Sequence, residues 1–215
     1  MNRPTLREHA DDAAIAAWIH RRLVAALDEA DGPIAITIPG GSTPFPILEK
    51  LTAHSLDWDR IAVWPGDDRI VPEDHEASNT GRIRALLEPV GATVVSIIEQ
   101  AEANDAEVPH FALAWLGMGA DGHIASLFPN TDPRPDDPQL IRHLTPDPLP
   151  PEAPFDRVTL TIPALLRSDA LMFVIRGDDK RALFDAAIAG AHDLPIARLL
   201  GAAAATEGLE VTCFT

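Results

Sequence analysis

The sequence predicts an α/β fold in which an open, mostly parallel, doubly wound sheet is flanked by helices. Short runs of β-branched and apolar residues alternate with amphipathic helical segments along the 215-residue chain, a pattern typical of parallel sheets. Several of these runs are apolar on both faces, as burial between two helical layers requires. A chain of this length commonly forms one domain, so we expect a single α/β domain over residues 1–215.

The helices are predicted from apolar residues at helical spacing and from end signals. Ile15, Ile19 and Leu23 form one apolar stripe on the first of them. In "GGSTPFPILEKL" a glycine turn opens into a helix that Ser42 or Thr43 is expected to cap. The expected helices cover residues 11–27, 44–51, 78–87 and 178–190.

The strands are predicted from short apolar runs that are bounded by glycine, proline or polar residues. The run "HFALAWLGMG" is expected to lead directly into a glycine-rich corner. Residues 65–76 are expected to form a loop. The expected strands cover residues 34–38, 60–64, 93–98, 110–119, 157–162, 170–175 and 209–214.

A proline-rich excursion is predicted at about residues 129–155, which hold many of the chain's 20 prolines. Proline has no backbone N–H and a fixed φ, so we expect no helix here and poor strand-forming ability. The segment is interpreted either as a long surface connection or as a rim over the functional site.

The composition excludes some classes of partner. The chain has 17 Lys and Arg against 33 Asp and Glu, a formal net charge of -16, so we expect no nucleic-acid and no membrane partner. An anionic ligand would need a local cluster of cations. Cys213 is the only cysteine, so no intrachain disulfide can form and a buried apolar role is expected. The N-terminus shows no apolar signal-like run and no stretch could span a bilayer, so we expect a cytoplasmic protein.

Three unusual loops follow predicted strands. In "PGGSTP", Gly40 and Gly41 allow close backbone approach to a ligand, and Ser42 and Thr43 add hydroxyls at a helix start. This pattern is typical of a phosphate-binding turn, and equally of a capped strand-to-helix turn. It lacks the Walker lysine, so no nucleotide hydrolysis is predicted.

The second loop, "WPGDDR", contains Asp67, Asp68 and Arg69. It is either a solvated charged loop or a ligand-binding one. In the second case, Arg69 would bind phosphate and one aspartate would orient a histidine or a sugar hydroxyl.

The third loop, "GMGADGH", places His123 and Asp121 in a corner shaped by Gly119 and its neighbouring glycines. A turn brings residues two apart together, so the histidine is a candidate for proton transfer. No third ligand at diagnostic spacing supports a metal. Arg157 and Lys180 are surface charges unless the fold brings them to the same cleft. Loops at the carboxyl ends of parallel strands share one edge of the sheet, so we expect the three loops to form one site.

The motifs "PGGSTP", "WPGDDRIVPEDHEASN", "LGMGADGHIASLFP", "RVTLT" and "RGDDK" stand in this order along the chain. Together they resemble the 6-phosphogluconolactonase family, within the superfamily that includes glucosamine-6-phosphate deaminases. The resemblance covers about residues 39–180. Asp68 replaces a glutamate usual in the family, Ala112 replaces an aspartate, and a C-terminal tryptophan motif is missing.

The resemblance implies hydrolysis of a phosphorylated sugar lactone, 6-phospho-D-glucono-1,5-lactone, by a monomer or homodimer without metal or cofactor. His123 would be the general base, and either Asp121 or Asp67 would orient it. Backbone N–H groups of the glycine corner are candidates to bind the oxyanion. A deaminase is the first alternative, although Phe128 occupies the position of its ring-opening glutamate. A non-catalytic sugar-phosphate sensor is the second. The residues implied in substrate binding are Gly40, Gly41, Ser42, Thr43, Asp68, Arg69, Gly119, Arg157 and Lys180.

Overall fold

The computed structural model describes residues 3–103, 107–149 and 153–215. Within these residues the strands are β1 (Thr5–Arg7), β2 (Ile34–Ile38), β3 (Ile61–Pro65), β4 (Asp67–Arg69), β5 (Thr93–Val94), β6 (Phe111–Leu116), β7 (Ile141–Leu144), β8 (Arg157–Leu160), β9 (Ala170–Val174) and β10 (Glu210–Phe214). The α-helices are α1 (Asp12–Glu29), α2 (Pro44–Thr52), α3 (Asn79–Leu87), α4 (Ile97–Glu102), α5 (Ile162–Leu166), α6 (Asp178–Ile188) and α7 (Pro195–Ala205).

The central sheet has the order β1-β10-β9-β6-β2-β3-β5, and every neighbouring pair is parallel. Apolar side chains of α1, α2 and α3 pack on one face, and those of α4 to α7 pack on the other. Successive residues of β9 alternate between the two layers: Met172 joins the first and Phe173 the second. The predicted doubly wound α/β fold is therefore confirmed.

A second sheet, of order β4-β8-β7, is antiparallel and corrects three expectations. The predicted loop at residues 65–76 contains β4, and the predicted strand at residues 157–162 belongs to this sheet as β8. The proline-rich excursion contains β7, although it was expected to be poor strand material. Its prolines nearest to β7, Pro138 and Pro146, lie outside the strand, so the ladder keeps its donors. Residues 150–152 of the excursion lie outside the described residues.

Two further boundaries differ from the predictions. The run at residues 93–98 forms a strand only at Thr93–Val94, because the Ser96 hydroxyl then accepts a hydrogen bond from the Glu99 N–H and begins α4. Thr43 occupies the N-cap position of α2, but its side chain makes no capping bond. The strand β1 and the helices α5 and α7 carry no prediction from the sequence, and α5 begins at Ile162, which was expected to end a strand.

The remaining elements follow the predicted pattern. Asp11 caps α1 by accepting a hydrogen bond from the Ala14 N–H at 2.8 Å. Cys213 is fully buried in β10, as expected for an apolar role, and burial raises the pKa of its thiol to about 12. None of the described helices combines the length and the apolar character that a membrane-spanning helix needs.

Candidate active site

A cavity of about 550 Å³ lies at the carboxyl edge of the central sheet, where β2, β3, β6 and β9 end. All three glycine-containing loops reach it, as predicted from their positions after parallel strands. The predicted residues that line it are Gly40, Gly41, Ser42, Thr43, Asp67, Arg69, Gly119, His123, Arg157 and Lys180.

A larger cavity of about 1130 Å³ lies at the opposite edge of the sheet. Its lining includes Trp18, Arg21, Ala112 and the starts of several strands, and it contains none of the predicted site residues. If volume were the only criterion, this larger cavity would be the candidate active site. The chemistry favours the smaller one, because an imidazole, a carboxylate and several cations converge there.

His123 is held by Asp121. The Asp121 Oδ1 lies 2.6 Å from the Nδ1 of His123 and also accepts the His123 backbone N–H at 3.2 Å. A proton on Nδ1 is then shared with the carboxylate, which leaves Nε2 as the ring nitrogen able to take a proton from a ligand. Asp121 does not line the cavity itself; it acts on the ring that does.

Close contacts and backbone conformation explain why the histidine loop needs glycine at two positions. A Cβ on Gly119 would stand 2.2 Å from the His123 ring and 2.6 Å from Asp121 Oδ1. Gly122 adopts a φ of +78°, in the region that favours glycine. The Gly119 N–H donates to the His123 carbonyl at 2.9 Å, and the Gly122 N–H donates to the Gly119 carbonyl at 3.1 Å. These two N–H groups are used within the loop and are not free for an oxyanion; for the other N–H groups of the corner, oxyanion binding stays a prediction.

Arg157 lines the cavity and keeps side-chain donors that the described residues do not satisfy. Its Nη2 donates to the Ala153 carbonyl at 2.6 Å, whereas its buried Nε and Nη1 have no hydrogen-bond partner among the residues that the structure describes. The antiparallel register places Arg69 directly opposite Arg157. Burial, and then the adjacent Arg69 guanidinium, lower the pKa of Arg157. Two neighbouring guanidinium groups, one of them with donors that the described residues leave unpaired, are suited to bind an anion.

Lys180 and Arg176 extend this positive region. The Lys180 Nζ donates to the Met118 carbonyl at 2.8 Å, one residue before Gly119. Arg176, the first residue of "RGDDK", was not predicted as a site residue but also lines the cavity, and its Nη2 lies 3.0 Å from the Asp12 Oδ1. The cations that a highly acidic chain needs for an anionic ligand are therefore gathered at this edge.

The two aspartates of "WPGDDR" have different positions. Asp67 lines the cavity, its Oδ2 accepts the Ser126 hydroxyl at 2.5 Å, and burial raises the pKa of its carboxyl. Asp68 is fully buried away from the cavity. Its oxygens accept the Asn79 N–H at 2.6 Å and the Thr80 N–H at 2.8 Å, at the start of α3. The structure therefore does not bring Asp68 to the site, and Asp121 rather than Asp67 contacts His123.

Asn79 and Ser126 line the cavity although the sequence did not single them out. The Asn79 Nδ2 donates to the Asp67 carbonyl at 2.8 Å, and a Cβ on Gly40 would stand 2.0 Å from the Asn79 Oδ1. Gly40 is thus required by the close approach of two loops. The signal that could have found these two side chains is that both lie within the quoted motifs: Asn79 ends "WPGDDRIVPEDHEASN", and Ser126 lies in "LGMGADGHIASLFP".

Fold and site together define a class of protein: an α/β protein whose parallel sheet carries, at its carboxyl edge, a histidine–aspartate pair facing a cluster of cations. Comparison with known proteins narrows this class. The chain belongs to the family of glucosamine-6-phosphate isomerases and 6-phosphogluconolactonases, whose model matches residues 8–207.

Individual relatives agree with this assignment. A 6-phosphogluconolactonase of Pseudomonas aeruginosa is 38% identical over 192 residues, which are 81% of this chain and 79% of the relative. One of Neisseria meningitidis is 32% identical, covering 85% of this chain and 87% of the relative. The crystal structure of a 6-phosphogluconolactonase from Thermotoga maritima superposes with a TM-score of 0.78 at 26% identity, covering 98% of this chain and 99% of that one.

Proposed function

We propose that this protein hydrolyses 6-phospho-D-glucono-1,5-lactone to 6-phospho-D-gluconate, a step of the oxidative branch of the pentose phosphate pathway. One observation carries the proposal: His123, whose Nδ1 is held by Asp121, lines the same cavity as Arg157, and the Nε and Nη1 of Arg157 have no hydrogen-bond partner among the described residues. Hydrolysis of a phosphorylated lactone requires a base near the lactone carbonyl and an anion-binding site for the phosphate. The identity of the substrate is inferred from the names of the relatives.

His123 would act as the general base. Its Nε2 accepts a proton from water as the water oxygen attacks the lactone carbonyl carbon, and Asp121 stabilises the imidazolium that forms. When the tetrahedral intermediate collapses, the bond between the carbonyl carbon and the ring oxygen breaks. The imidazolium then returns the proton to that oxygen, so the histidine ends the cycle in its starting form.

The phosphate would bind to the cations. Buried Arg157 and half-buried Arg69 offer guanidinium N–H groups at a site where charged hydrogen bonds are stronger than in water. Lys180 adds a charge beside the histidine loop. The hydroxyl of Thr43, which caps no helix, adds a neutral donor. In the first turn of α2, Pro44 and Pro46 have no N–H, so Phe45 is the residue there that could add a backbone donor. Asp67, with one oxygen held by Ser126, would accept a sugar hydroxyl with its other oxygen.

The deaminase reaction is not favoured. Phe128 stands at the position expected for the ring-opening glutamate, and its ring centroid is 4.8 Å from that of His123. A phenyl ring cannot transfer a proton. We therefore expect no ammonia release from glucosamine 6-phosphate.

The test is acid release from freshly prepared 6-phosphogluconolactone, followed at neutral pH in weak buffer with a protein-free blank for spontaneous hydrolysis. We expect the wild-type protein to exceed the blank by orders of magnitude, and unphosphorylated gluconolactone to be a much poorer substrate. A folded protein that binds 6-phosphogluconate but does not accelerate lactone loss would identify a sensor instead.

A further inference from the structure

We propose that Arg198, on α7, is a positioning residue for His123: with the first turn of α7 it holds both ends of the loop that carries the imidazole. Arg198 does not line the cavity, so it would act through the loop and not on the substrate. The inference rests on the proposed function.

The first attachment lies directly before His123. The Ile196 N–H, at the start of α7, donates to the Gly122 carbonyl at 3.1 Å. Gly122 also packs against α7 so closely that a Cβ there would stand 3.0 Å from Leu194. The backbone that precedes the imidazole is therefore seated on the first turn of α7.

The second attachment lies beyond the loop. The Arg198 Nη1 donates to the Asp132 Oδ1 at 2.5 Å and to the Pro133 carbonyl at 2.9 Å. Its Nη2 and Nε donate to the Asp193 carboxylate at 2.8 Å and 3.1 Å. One planar guanidinium thus joins the start of α7 to the far end of the loop, a geometry that lysine cannot reproduce.

The held segment transmits this constraint to the imidazole. The Phe128 ring packs against the His123 ring, and the Phe128 N–H donates to the Thr131 hydroxyl at 3.2 Å, so residues 128–131 form one turn. Asp132, which follows, adopts a φ of +46°. If Arg198 releases Asp132, the turn and the aromatic wall of His123 are free to shift.

The effect is expected on catalysis more than on stability. The Arg198 side chain is 23% exposed, and ion pairs near the surface contribute little to stability. Displacement of a catalytic group by about 1 Å can reduce turnover by as much as about a hundredfold. The phosphate-binding cations lie on other elements, so substrate binding should change little.

The experiment compares Arg198→Ala with Arg22→Ala. Arg22 is a matched control, because it is 24% exposed and pairs with Glu210 at the opposite edge of the sheet. We expect Arg198→Ala to lower kcat about tenfold with KM within about twofold of wild type, and Arg22→Ala to leave both unchanged. Arg198→Lys, which can reach one carboxylate at a time, should restore part of kcat.

A second variant guards against misfolding of the first. Asp132→Gly removes the carboxylate but tolerates the positive φ, and it leaves the Arg198–Asp193 pair intact. It should lower kcat in the same direction. The proposal is overturned if folded Arg198→Ala and Asp132→Gly retain the kcat of Arg22→Ala, or if KM rises while kcat is unchanged.

A readout without turnover separates this proposal from the proposed function. The ring signals of His123, assigned by NMR through loss in His123→Ala, should shift or broaden in Arg198→Ala and stay unchanged in Arg22→Ala. If the wild-type protein fails to hydrolyse the lactone but these signals respond, the function is wrong and the positioning role stands. Unchanged signals in Arg198→Ala would overturn the positioning role.

Discussion

Two histidine–aspartate pairs lie at opposite ends of β6. At the carboxyl end, the His123 Nδ1 lies 2.6 Å from the Asp121 Oδ1. At the amino end, the His110 Nε2 lies 2.7 Å from the Asp169 Oδ1. The His123 side chain is 33% exposed and lies in a cavity with unpaired cations, whereas that of His110 is 59% exposed. An imidazole–carboxylate contact is therefore not evidence of catalysis by itself.

The surroundings make the difference between the two ends. Arg157 at the carboxyl end has two nitrogen atoms, Nε and Nη1, without a partner in the part of the chain that the structure describes, but at the amino end the Arg22 Nη1 is paired with the Glu210 Oε2 at 2.6 Å. An anionic ligand finds donors that are already desolvated at the first site, whereas at the second the Arg22–Glu210 ion pair would have to be broken to free that arginine. The comparison predicts that equal substitutions at the two ends have unequal effects.

The largest inequality is expected for the histidines. His123→Ala should lower kcat at least about a hundredfold, because general base catalysis is typically worth two to four orders of magnitude. His110→Ala, which removes the same contact at the other end, should leave kcat unchanged. Steady-state hydrolysis of the lactone, with circular dichroism to verify folding, measures both. Full activity of folded His123→Ala would remove the histidine from the mechanism.

The same comparison shows what could be predicted from the sequence. The histidine loop is local: three glycines, an aspartate and a histidine within "GMGADGH" imply their own proximity. The parallel sheet was equally accessible, because alternating helices and apolar runs leave few arrangements. These features depend on residues that are close along the chain or on strong periodicity.

The proximity of the two arginines, Arg69 and Arg157, could not be predicted from the sequence in this way. Arg69 and Arg157 meet only because β4 and β8 pair in antiparallel register across almost ninety residues. Short polar strands such as β4 carry no periodic signal, and β7 is hidden among prolines. The burial of Asp68 also depends on where α3 begins, so a charged loop gave no sign that one of its two aspartates faces the protein interior.

A glycine comparison sharpens the contrast. Gly119→Ala places a methyl group where the His123 ring and Asp121 now stand, so we expect kcat to fall between about tenfold and a hundredfold. Gly32→Ala, just before β2 at the amino end, meets no atom within 4 Å and should be neutral. If both variants behave alike in kinetic assays, the tight fit around the imidazole has no catalytic consequence.

Substitutions of arginines at the two ends test substrate binding, measured as KM, and not turnover. Arg157→Met keeps an unbranched apolar stem but removes the guanidinium group and its charge, so KM for the phosphorylated lactone should rise about tenfold, the value of one charged hydrogen bond. Stability should hold, because two of its donors are unsatisfied and Arg69 repels it. Arg21→Met, in the cavity at the amino end, should leave KM unchanged. An unchanged KM in Arg157→Met would mean that the phosphate does not bind at Arg157.

The smallest expected effect concerns the pH dependence of stability. Burial raises the pKa of Asp67 above its ordinary value of 3.8, and the attraction of Arg69 and Arg157 opposes this less strongly. The folded protein then favours the protonated carboxyl, so its stability falls as the pH rises above 3.8 and through the raised pKa. Asp67→Asn, which can still accept the Ser126 hydroxyl, should therefore melt a few degrees higher than wild type at neutral pH.

This gain should shrink as the pH falls and vanish below the ordinary pKa, where Asp67 is protonated in both the folded and the unfolded chain. Asp169→Asn at the amino end removes a carboxylate that is 57% exposed, and water already solvates it there. It should show no such gain. Melting curves between acid and neutral pH decide the matter. A lower melting temperature for Asp67→Asn at neutral pH would mean that attraction by the two arginines outweighs burial, and that the cation cluster is built around an ionised Asp67.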